Sequence, residues 1–369
     1  MAPVAMGQDA FALLLPPIHS YDCHLLVQQF AACRTAELGG RLLRCRECGT
    51  QIVEYNRCNA RGCPGCGPER QAEWRQRISR QVLPIGHFHL IFSGPEYLAG
   101  VWLADSRKLM NALFSAAGSA LKTMMKEAGL TFGLIMVFQS HGRGLSYKPH
   151  IHCLLTPGGV DGNRQWREYK RIAENRLRQE FRSQMLKRLP ACAPRYLQHQ
   201  IAQDAEEDWS VYCVLHRHSP EAVVTYLSRT LFGLVVDTRY PLQLEGQMVT
   251  LTEEHHGKRV KTTLSDDLFI QRYFAHIPAP NAVTVRHYGL YSNRMGMQRE
   301  ALREAMAETA QLAEPDGQPE CPECHAPMEV THVFSAEQLP TILRLYRVAR
   351  GSPPPHRSRI SLPPSAALA

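Results

Sequence analysis

Two short apolar segments joined by a glycine-rich loop constrain the fold of this chain more than any other feature. The segments are FGLIMVFQ (132–139) and HIHCLLT (150–156), and the loop between them begins SHGRG. Such runs predict strands, and a short connection containing glycine predicts an antiparallel hairpin. Because side chains alternate along a strand, His150 and His152 share one face while Ile151 points to the other. Two imidazoles on one face are a common metal-binding arrangement, although a core can also contain such a pair.

A third segment, HFHLIFSG (87–94), alternates in the same way, with His87 and His89 on one face and apolar residues on the other. Residues 102–129 and the segment SPEAVVTYLSRTLF have helical patterns, and QMVTLTEEHHGKRVKTTLS predicts a hairpin of edge strands. These elements predict an α+β fold in which a central antiparallel β-sheet is flanked by helices. A small N-terminal four-cysteine domain precedes it.

The predicted domain organisation follows the order of the chain. Residues 1–80 form a zinc-binding, DNA-binding domain, 81–300 the main sheet domain, and 301–350 a C-terminal segment with one further CxxC pair. Residues 351–369, rich in proline and serine, are expected to be a disordered tail.

Composition limits the class of protein. Of the 369 residues, 44% are hydrophobic and 21% are charged, as in ordinary globular proteins. No apolar run approaches the about 20 residues needed to span a bilayer, and the N-terminus lacks the pattern of a secretory signal. We therefore expect a cytoplasmic protein, associated with the nucleoid when bound to DNA, whose 12 cysteines are metal ligands or core residues rather than disulfides.

Paired cysteines near the N-terminus predict a structural zinc ion. Cys45-x2-Cys48 and Cys63-x2-Cys66 are separated by 14 residues, and two such pairs complete a tetrahedral shell. Cys58 is an alternative ligand, and Cys33 is a more distant candidate. The late pair, Cys321 and Cys324, offers half a zinc site, and whether it holds a second zinc is left open. Arg57 and Arg61 lie between the N-terminal pairs and face either nucleic acid or solvent.

A strongly basic segment spans residues 164–188, with nine Lys or Arg against three Glu. Its apolar residues recur every three or four positions, which predicts one amphipathic helix with a basic outer face. These apolar residues are Trp166, Tyr169, Ala173, Leu177, Phe181 and Met185. The outer face is either solvated or binds phosphates. The residues taken as DNA-binding are Arg164, Arg167, Lys170, Arg171 and Arg178.

The order of the motifs resembles that of a known family, whereas no nucleotide-binding glycine loop, G-x-S-x-G elbow or H-E-x-x-H motif is present. The chain has, in order, a four-cysteine head, LPIGHFHLIF, KPHIHCLLTPGG, TYLSRT, VRHYGLYSNR and CPEC. This order resembles the IS91-type transposases, whose nuclease core belongs to the HUH (His-hydrophobic-His) endonuclease superfamily.

The resemblance implies a metal-dependent transposase that nicks single-stranded DNA at transposon ends, including possible hairpins, and transfers strands in rolling-circle transposition. It makes Tyr226 the nucleophile of a 5′-phosphotyrosine intermediate. It makes His150 and His152 ligands of a divalent cation, Mg²⁺ or Mn²⁺, with Gln139 as the third ligand and His141 as its competitor.

One position departs from the founding members, which carry a second tyrosine four residues after the first. Here that residue is Thr230, so the chain is similar to the single-tyrosine, ISCR-like branch. Arg229 contacts DNA or faces solvent. The alternatives are a rolling-circle replication initiator or relaxase with the same chemistry, and an inactive zinc-dependent DNA-binding protein. A metal hydrolase built on His87, His89 and the His150–His152 pair is a third.

Overall fold

A computed structural model describes most of the chain: residues 21–169, 171–204, 208–217, 219–232, 240, 242–255, 258–278, 281–307, 321–326, 328–339 and 359–362. Its helices are α1 (Tyr21–Ala32), α2 (Gly67–Gln81), α3 (Leu98–Ala104), α4 (Ser106–Ala128), α5 (Glu174–Leu186), α6 (Gln198–Ala202), α7 (Glu221–Phe232), α8 (Asp266–Ala275) and α9 (Gly296–Ala307). Its strands are β1 (Gly40–Cys45), β2 (Gln51–Tyr55), β3 (His87–Ser93), β4 (Thr131–His141), β5 (Tyr147–Val160), β6 (Trp166–Glu168), β7 (Ser210–His216), β8 (Gln243–Glu245), β9 (Met248–His255), β10 (Lys258–Ser265), β11 (Val285–Gly289), β12 (Met328–Phe334) and β13 (Arg359–Leu362).

The chain forms two compact units that interleave in sequence. The first, here named the cysteine unit, comprises residues 1–68, 237–271 and 313–369. The second, the histidine unit, comprises 69–236 and 272–312. Among the described residues, no helix combines the length and apolar character that crossing a membrane requires.

The histidine unit is built on a fully antiparallel sheet with strand order β11-β4-β5-β3-β7, and β6 pairs with β5. The α+β fold with a central antiparallel sheet is therefore confirmed. The predicted hairpin is β4 and β5, in which Gln139 lies opposite His150 and Val137 lies opposite His152. This register brings a polar side chain from β4 beside the first histidine of β5.

The two faces of this sheet have separate cores, as alternation of side chains requires. Ile151 and Phe92 belong to a core shared with residues of α4 and α5, such as Leu113 and Phe181. Leu154, on the face of the histidines, belongs to a second core. Its partners come from α2, β4 and α7: Trp74, Ile78, Val137, Val223, Val224 and Leu227. Helix α7 is thereby anchored on the histidine face.

The cysteine unit contains a four-stranded antiparallel sheet with order β12-β1-β2-β13. A separate three-stranded sheet, β10-β9-β8, confirms the predicted hairpin of edge strands. Within the tail that was expected to be disordered, the described residues 359–362 form strand β13, whose backbone pairs with β2. The rest of the tail lies outside the described residues.

The prediction of one helix over the basic segment 164–188 is wrong. Strand β5 continues through Gly158 and Gly159 to Val160, and a turn then leads into β6. In this turn the Asp161 carboxylate accepts hydrogen bonds from the backbone N–H groups of residues 163 and 165, both at 2.9 Å. A local turn centred on aspartate, glycine and asparagine thus overrides the helical spacing. Only the last three apolar residues, Leu177, Phe181 and Met185, lie on a helix and are buried.

Glycine is required where β5 passes between its neighbours. A Cβ atom on Gly158 would lie 2.4 Å from the carbonyl oxygen of Arg167, and one on Gly159 would lie 2.6 Å from that of Thr131. Real Cβ contacts are essentially never below 3.0 Å. The two glycines of the PGG sequence therefore permit close strand packing here.

Candidate active site and metal centres

Three buried histidines, His89, His150 and His152, lie close together on one face of the sheet in the histidine unit. His152 is 1% exposed, His89 7% and His150 9%. His89 comes from β3 and lies opposite Leu154 of β5, so the two strands place its ring beside that of His152, with ring centroids 5.4 Å apart. The rings of His150 and His152 are 4.7 Å apart. The structure therefore groups the predicted pair with a third imidazole.

Hydrogen bonds join these side chains. Nε2 of His152 lies 2.8 Å from Oε1 of Gln139, and Nδ1 of His152 lies 3.2 Å from Nε2 of His89. A neutral imidazole donates through one nitrogen and accepts through the other. His152 can thus donate from Nε2 to the Gln139 amide oxygen while it accepts the His89 N–H at Nδ1. Each of these atoms has a satisfied partner without any charge on the rings. In the other neutral tautomer, Nδ1–H of His152 donates to Nε2 of His89, and Nε2 of His152 carries the lone pair that a metal ion needs.

His150 is held through its other nitrogen. Its Nδ1–H donates to the backbone carbonyl of Lys148, two residues back along β5. This bond fixes the tautomer and leaves the lone pair of Nε2 free to bind a metal, the usual arrangement for a histidine ligand.

Burial keeps these imidazoles neutral. Desolvation lowers the pKa of His89 and of His150 to about 4 and that of His141 to about 3. The pKa of His152 lies well below its usual value, chiefly through desolvation and also through the neighbouring His150. A ring must be unprotonated to bind a metal ion, and at neutral pH all four satisfy this condition.

The residues present fit a divalent cation. Oε1 of Gln139 and Nε2 of His152 are 2.8 Å apart, close to the about 3 Å expected between adjacent ligands bound at about 2.1 Å. His150, whose ring centroid lies 4.7 Å from that of His152, would add a third donor. Among the described residues, no three His, Cys, Asp or Glu donors converge at this site, so the set depends on the Gln139 amide. Two imidazoles and one amide suit Mn²⁺ better than Mg²⁺.

His141, the competing third ligand, lies beside Gln139 on β4. Its ring nitrogens are 3.3 and 3.5 Å from Nε2 of Gln139, and its ring packs against that of His276. The choice of Gln139 over His141 stays a prediction.

Tyr226 lies over the histidines. Val223, Val224 and Leu227 anchor α7 in the core, so the opposite side of the helix turns Tyr226 outward, where it is 45% exposed. Its ring centroid is 4.8 Å from that of His89 and 5.3 Å from that of His152. Partial burial raises the pKa of the Tyr226 phenol above its usual value near 10, so the phenol is protonated at neutral pH.

Sequence reasoning undervalued His89, which it used only in the hydrolase alternative. The alternation of HFHLIF placed His89 on one strand face, but only strand pairing shows which strand lies next to it. His87, on the same face, has a different environment. It is fully buried, and its two nitrogens lie near the carbonyl of Ile85 and the hydroxyl of Tyr291. His87 is thus a satisfied core residue.

The prediction that Cys45, Cys48, Cys63 and Cys66 share one zinc is wrong. The structure divides the two pairs between two clusters in the cysteine unit. In each cluster the four sulfur atoms lie within 4.8 Å of one another. Cluster 1 comprises Cys33, Cys58, Cys63 and Cys66; cluster 2 comprises Cys45, Cys48, Cys321 and Cys324. The physical reason is that β1 pairs with β12, which brings the late pair beside Cys45 and Cys48.

Sulfur distances agree with metal sites rather than disulfides. In cluster 1 the sulfur of Cys66 lies 3.4 Å from that of Cys33 and 3.6 Å from that of Cys58. A disulfide requires about 2.05 Å, whereas the edge of a tetrahedron with zinc–sulfur bonds of about 2.3 Å is about 3.8 Å. The sulfur positions in both clusters are therefore consistent with structural zinc sites.

The basic residues predicted to bind DNA are mostly at the surface. Arg164, Arg167, Arg171 and Arg229 are exposed, and Arg57, Arg61 and Arg178 are half-buried. Arg167 forms an ion pair with Asp161 at 3.1 Å. Lys170 lies outside the described residues. Their contacts with DNA stay a prediction.

Comparison with known proteins gives matches in both units. A family model described as "Transposase zinc-binding domain", of the IS91 type, matches residues 18–94, and one described as "Putative transposase" matches residues 133–299. Together the two matches span more than half of the chain.

Two curated proteins are similar over most of their length. "Putative transposase y4qJ" of Sinorhizobium fredii is 27% identical over 294 residues, which cover 72% of this chain and 74% of that protein. "Transposase for insertion sequence element IS801" of Pseudomonas savastanoi pv. phaseolicola is 26% identical over 290 residues, which cover 73% of this chain and 70% of that protein. No solved structure gives a significant match. With a zinc-binding head and a transposase region matched in the order of its motifs, the chain belongs to the IS91-type transposases.

Proposed function

We propose that this transposase is an HUH-type endonuclease that cleaves single-stranded DNA at transposon ends through a covalent link to Tyr226. One observation is the main support for this proposal. A half-exposed phenol, positioned by α7, contacts the rings of His89 and His152, two residues of a buried and neutral histidine cluster. A nucleophile must be accessible to DNA and close to the group that stabilises charge at the phosphate. Tyr226 is half-exposed and lies beside His152, a proposed ligand of the cation.

The reaction is a transesterification. The Tyr226 Oη attacks phosphorus, its proton leaves to solvent or a base, and the bond from phosphorus to the 3′ oxygen breaks. The 3′ oxygen takes up a proton, so the products are a 5′-phosphotyrosine and a free 3′-OH. One phosphodiester replaces another, and the bond energy is retained. A second 3′-OH can then attack the phosphotyrosine and join strands without ATP.

A divalent cation fits the donor set of His150, His152 and Gln139 and, when bound, would supply Lewis-acid stabilisation of charge on the phosphate. The protein's own residues set its ligands in place. The Lys148 carbonyl orients His150, and His89 orients His152 through Nδ1. Because the three donors are neutral, they leave the ion's charge largely available for a phosphate. In the cysteine unit, cluster 1 is the proposed structural zinc site of the matched zinc-binding domain.

Single-stranded DNA is the proposed partner. The chain carries a formal net charge of +8, and Arg164, Arg167, Arg171 and Arg229 of the histidine unit are exposed. Phosphate contacts from such residues would supply affinity independent of base sequence. Recognition of hairpins at the transposon ends and a rolling-circle pathway form part of the proposal.

The test is capture of the covalent intermediate. The full chain is incubated with Mn²⁺ and labelled single-stranded DNA from the ends of its own element, and denaturing gels report any protein–DNA adduct. Mass spectrometry then locates the modified residue. We expect an adduct on Tyr226 in the unaltered protein and none in Tyr226→Phe, whose DNA affinity should be retained. Tyr196→Phe, which changes another exposed tyrosine, is the matched control.

Outcomes separate the candidate functions. Cleavage retained in Tyr226→Phe would refute the assignment of the nucleophile. Tight binding with no adduct in the unaltered protein would favour the inactive DNA-binding alternative. A replication initiator or relaxase would form the same adduct, but only on origin DNA and not on the element's own ends.

A further inference from the structure

Cluster 2 joins the first CxxC pair to the last one, and we propose that it binds a second structural zinc ion, separate from the ion of cluster 1. The ligands are Cys45, Cys48, Cys321 and Cys324, which converge in the cysteine unit. Neither matched region contains Cys321 or Cys324, since these regions end at residues 94 and 299. The site therefore lies partly outside the zinc-binding domain of the family.

The two pairs of cluster 2 have the same backbone conformation. The N–H of Cys45 donates to the carbonyl of Thr50 at 2.8 Å, and the N–H of Gly49 donates to the carbonyl of Cys45 at 3.1 Å. The second pair repeats this pattern at the same spacing. The N–H of Cys321 donates to the carbonyl of Ala326 at 2.8 Å, and the N–H of His325 donates to the carbonyl of Cys321 at 2.9 Å.

The fourth residue after the first cysteine has a positive φ in each turn, 70° at Gly49 and 60° at His325. The left-handed conformation is easy for glycine but costs free energy for histidine. Two distant segments thus adopt one turn geometry, although their sequences differ at this position. A shared ligand for both turns explains why both hold this shape.

Strand pairing sets the two turns against each other. Cys45 is the last residue of β1 and lies opposite Met328, the first residue of β12. Because the strands are antiparallel, the turn after β1 and the turn before β12 lie at the same end of the pair. Three sulfur distances across the cluster follow from this: 3.5 Å for Cys45–Cys324 and 3.4 Å for both Cys48–Cys321 and Cys48–Cys324.

The surroundings suit a structural metal. Cys45 and Cys321 are fully buried and pack with Leu43, Ile52 and Met328 in a small apolar core. Four thiolates in this position would repel one another, and a dication offsets half of their charge. A closed shell of four sulfurs leaves no open position for a substrate, so the role is structural.

The two clusters differ in accessibility. In cluster 2, Cys48 and Cys324 are exposed, whereas in cluster 1 three cysteines are buried and Cys58 is half-buried. A chelator should therefore remove the zinc of cluster 2 first. The ion would join segments that are more than 270 residues apart in sequence, and all residues of the histidine unit come between these segments along the chain. Without it, β12 would be held to β1 by strand pairing and the small core alone.

Metal content of the full chain tests the assignment. We expect two zinc ions per purified chain by inductively coupled plasma mass spectrometry. Cys321→Ser/Cys324→Ser should lose one zinc, and so should Cys45→Ser/Cys48→Ser. The quadruple variant should also lose only one, because all four residues serve one ion. Cys58→Ser/Cys63→Ser, the matched control, should lose the other.

A single shared site built from the two N-terminal pairs would give a different pattern. Cys321→Ser/Cys324→Ser would then keep all of its zinc, and this result would overturn the proposal. A variant that fails to fold would lose metal for another reason, so a measurement on the unaltered protein is needed as well. The metal analysis and this further measurement do not use nuclease activity, so both are independent of the proposed reaction.

Protection from alkylation supplies that measurement. The zinc-loaded protein is exposed briefly to a chelator, then alkylated, digested and examined by mass spectrometry. We expect Cys45, Cys48, Cys321 and Cys324 to become labelled together, before the cysteines of cluster 1. Rapid labelling of Cys321 and Cys324 before any chelator is added, with Cys45 and Cys48 still protected, would refute a shared ion.

Discussion

Replacing Gln139 with glutamate tests whether the side-chain oxygen of this residue is the third ligand of the proposed cation. Glutamate has nearly the shape of glutamine, so its carboxylate can place an oxygen where Oε1 of Gln139 now lies, 2.8 Å from Nε2 of His152. The change adds one negative charge next to the ion and leaves the hairpin of β4 and β5 unaltered. We expect Gln139→Glu to bind Mn²⁺ more tightly than the unaltered protein.

The magnitude follows from the difference between charged and neutral polar interactions. A net interaction with a charged group contributes about 1.5–3 kcal/mol, against about 0.5–1.5 kcal/mol for a neutral one. The difference of about 1–2 kcal/mol corresponds to a Kd about 5- to 30-fold lower. Gln139→Ala removes the donor and should raise the Kd by about 10-fold or more.

Proton competition must be kept out of this measurement. In metal-free Gln139→Glu, the new carboxylate would raise the pKa of the adjacent His152 and favour a protonated ring, which cannot bind metal. This effect weakens apparent Mn²⁺ binding as the pH falls. The titration is therefore done at pH 8, where little of the ring is protonated.

The assay is titration of the zinc-loaded full chain with Mn²⁺, in which electron paramagnetic resonance reports the free ion. His141→Ala is the matched control, because His141 lies two residues along the same strand. It should change the Kd by less than about threefold. If His141→Ala weakens binding as strongly as Gln139→Ala, and Gln139→Glu leaves the Kd unchanged, then His141 is the ligand and the reasoning fails.

Three further predictions concern stability. Burial lowers the pKa of His87 to about 4, below the value of about 6.5 in an unfolded chain. The unfolded chain therefore binds more protons at this residue as the pH falls, so stability that is present above pH 6.5 is lost as the pH falls toward 4. Thermal unfolding should show the Tm decreasing between pH 6.5 and 5, and a constant Tm over this range would contradict the argument. Gly289→Ala should destabilise the fold by about 3 kcal/mol or more, because φ is +56° and the new Cβ would lie 1.8 Å from the carbonyl oxygen of Phe132. Gly129→Ala, where φ is +65° and no atom lies within 4 Å of the new Cβ, should lower the free energy of unfolding by only about 1–2 kcal/mol in denaturant titration. Equal losses in the two variants would show that the close contact at Gly289 does not determine its cost. Tyr226→Phe should change the stability by less than about 0.5 kcal/mol, since no described residue forms a hydrogen bond with its Oη, and a larger loss by the same method would indicate a structural role for the hydroxyl.

Local sequence patterns predicted much of the histidine unit. Apolar runs correctly identified β4 and β5 as strands. Alternation identified β3 and the face that carries His150 and His152, because a period of two depends only on neighbouring residues. Whether a turn or a helix would form after β5 was harder to predict. The helical spacing of Trp166 and Tyr169 competed with the turn at Asp161, and hydrogen bonds from the Asp161 carboxylate favoured the turn.

The cysteines show what local patterns leave undetermined. Each CxxC pair was recognisable, but the pairing of Cys45 with Cys321 rather than Cys63 depends on which strand lies beside β1. That information is not contained in the spacing of the N-terminal pairs. Cluster 1 also includes Cys33 and Cys58, which lack a CxxC partner, so their spacing alone did not rank them with the paired cysteines as ligands. Grouping of His89 with His152 depended on strand order in the same way.

A single nucleophile limits what one chain can do in one step. Thr230, one turn beyond Tyr226 on α7, has an aliphatic hydroxyl whose pKa is far above that of a phenol, so it cannot take over the reaction. If Tyr226 is the nucleophile, each chain holds one DNA end at a time, and Tyr226 becomes free only when a 3′-OH has attacked the phosphotyrosine. Two ends cut by one chain must then be cut in succession, and two ends cut at once require two chains. The number of DNA ends bound covalently per chain at saturation should therefore never exceed one.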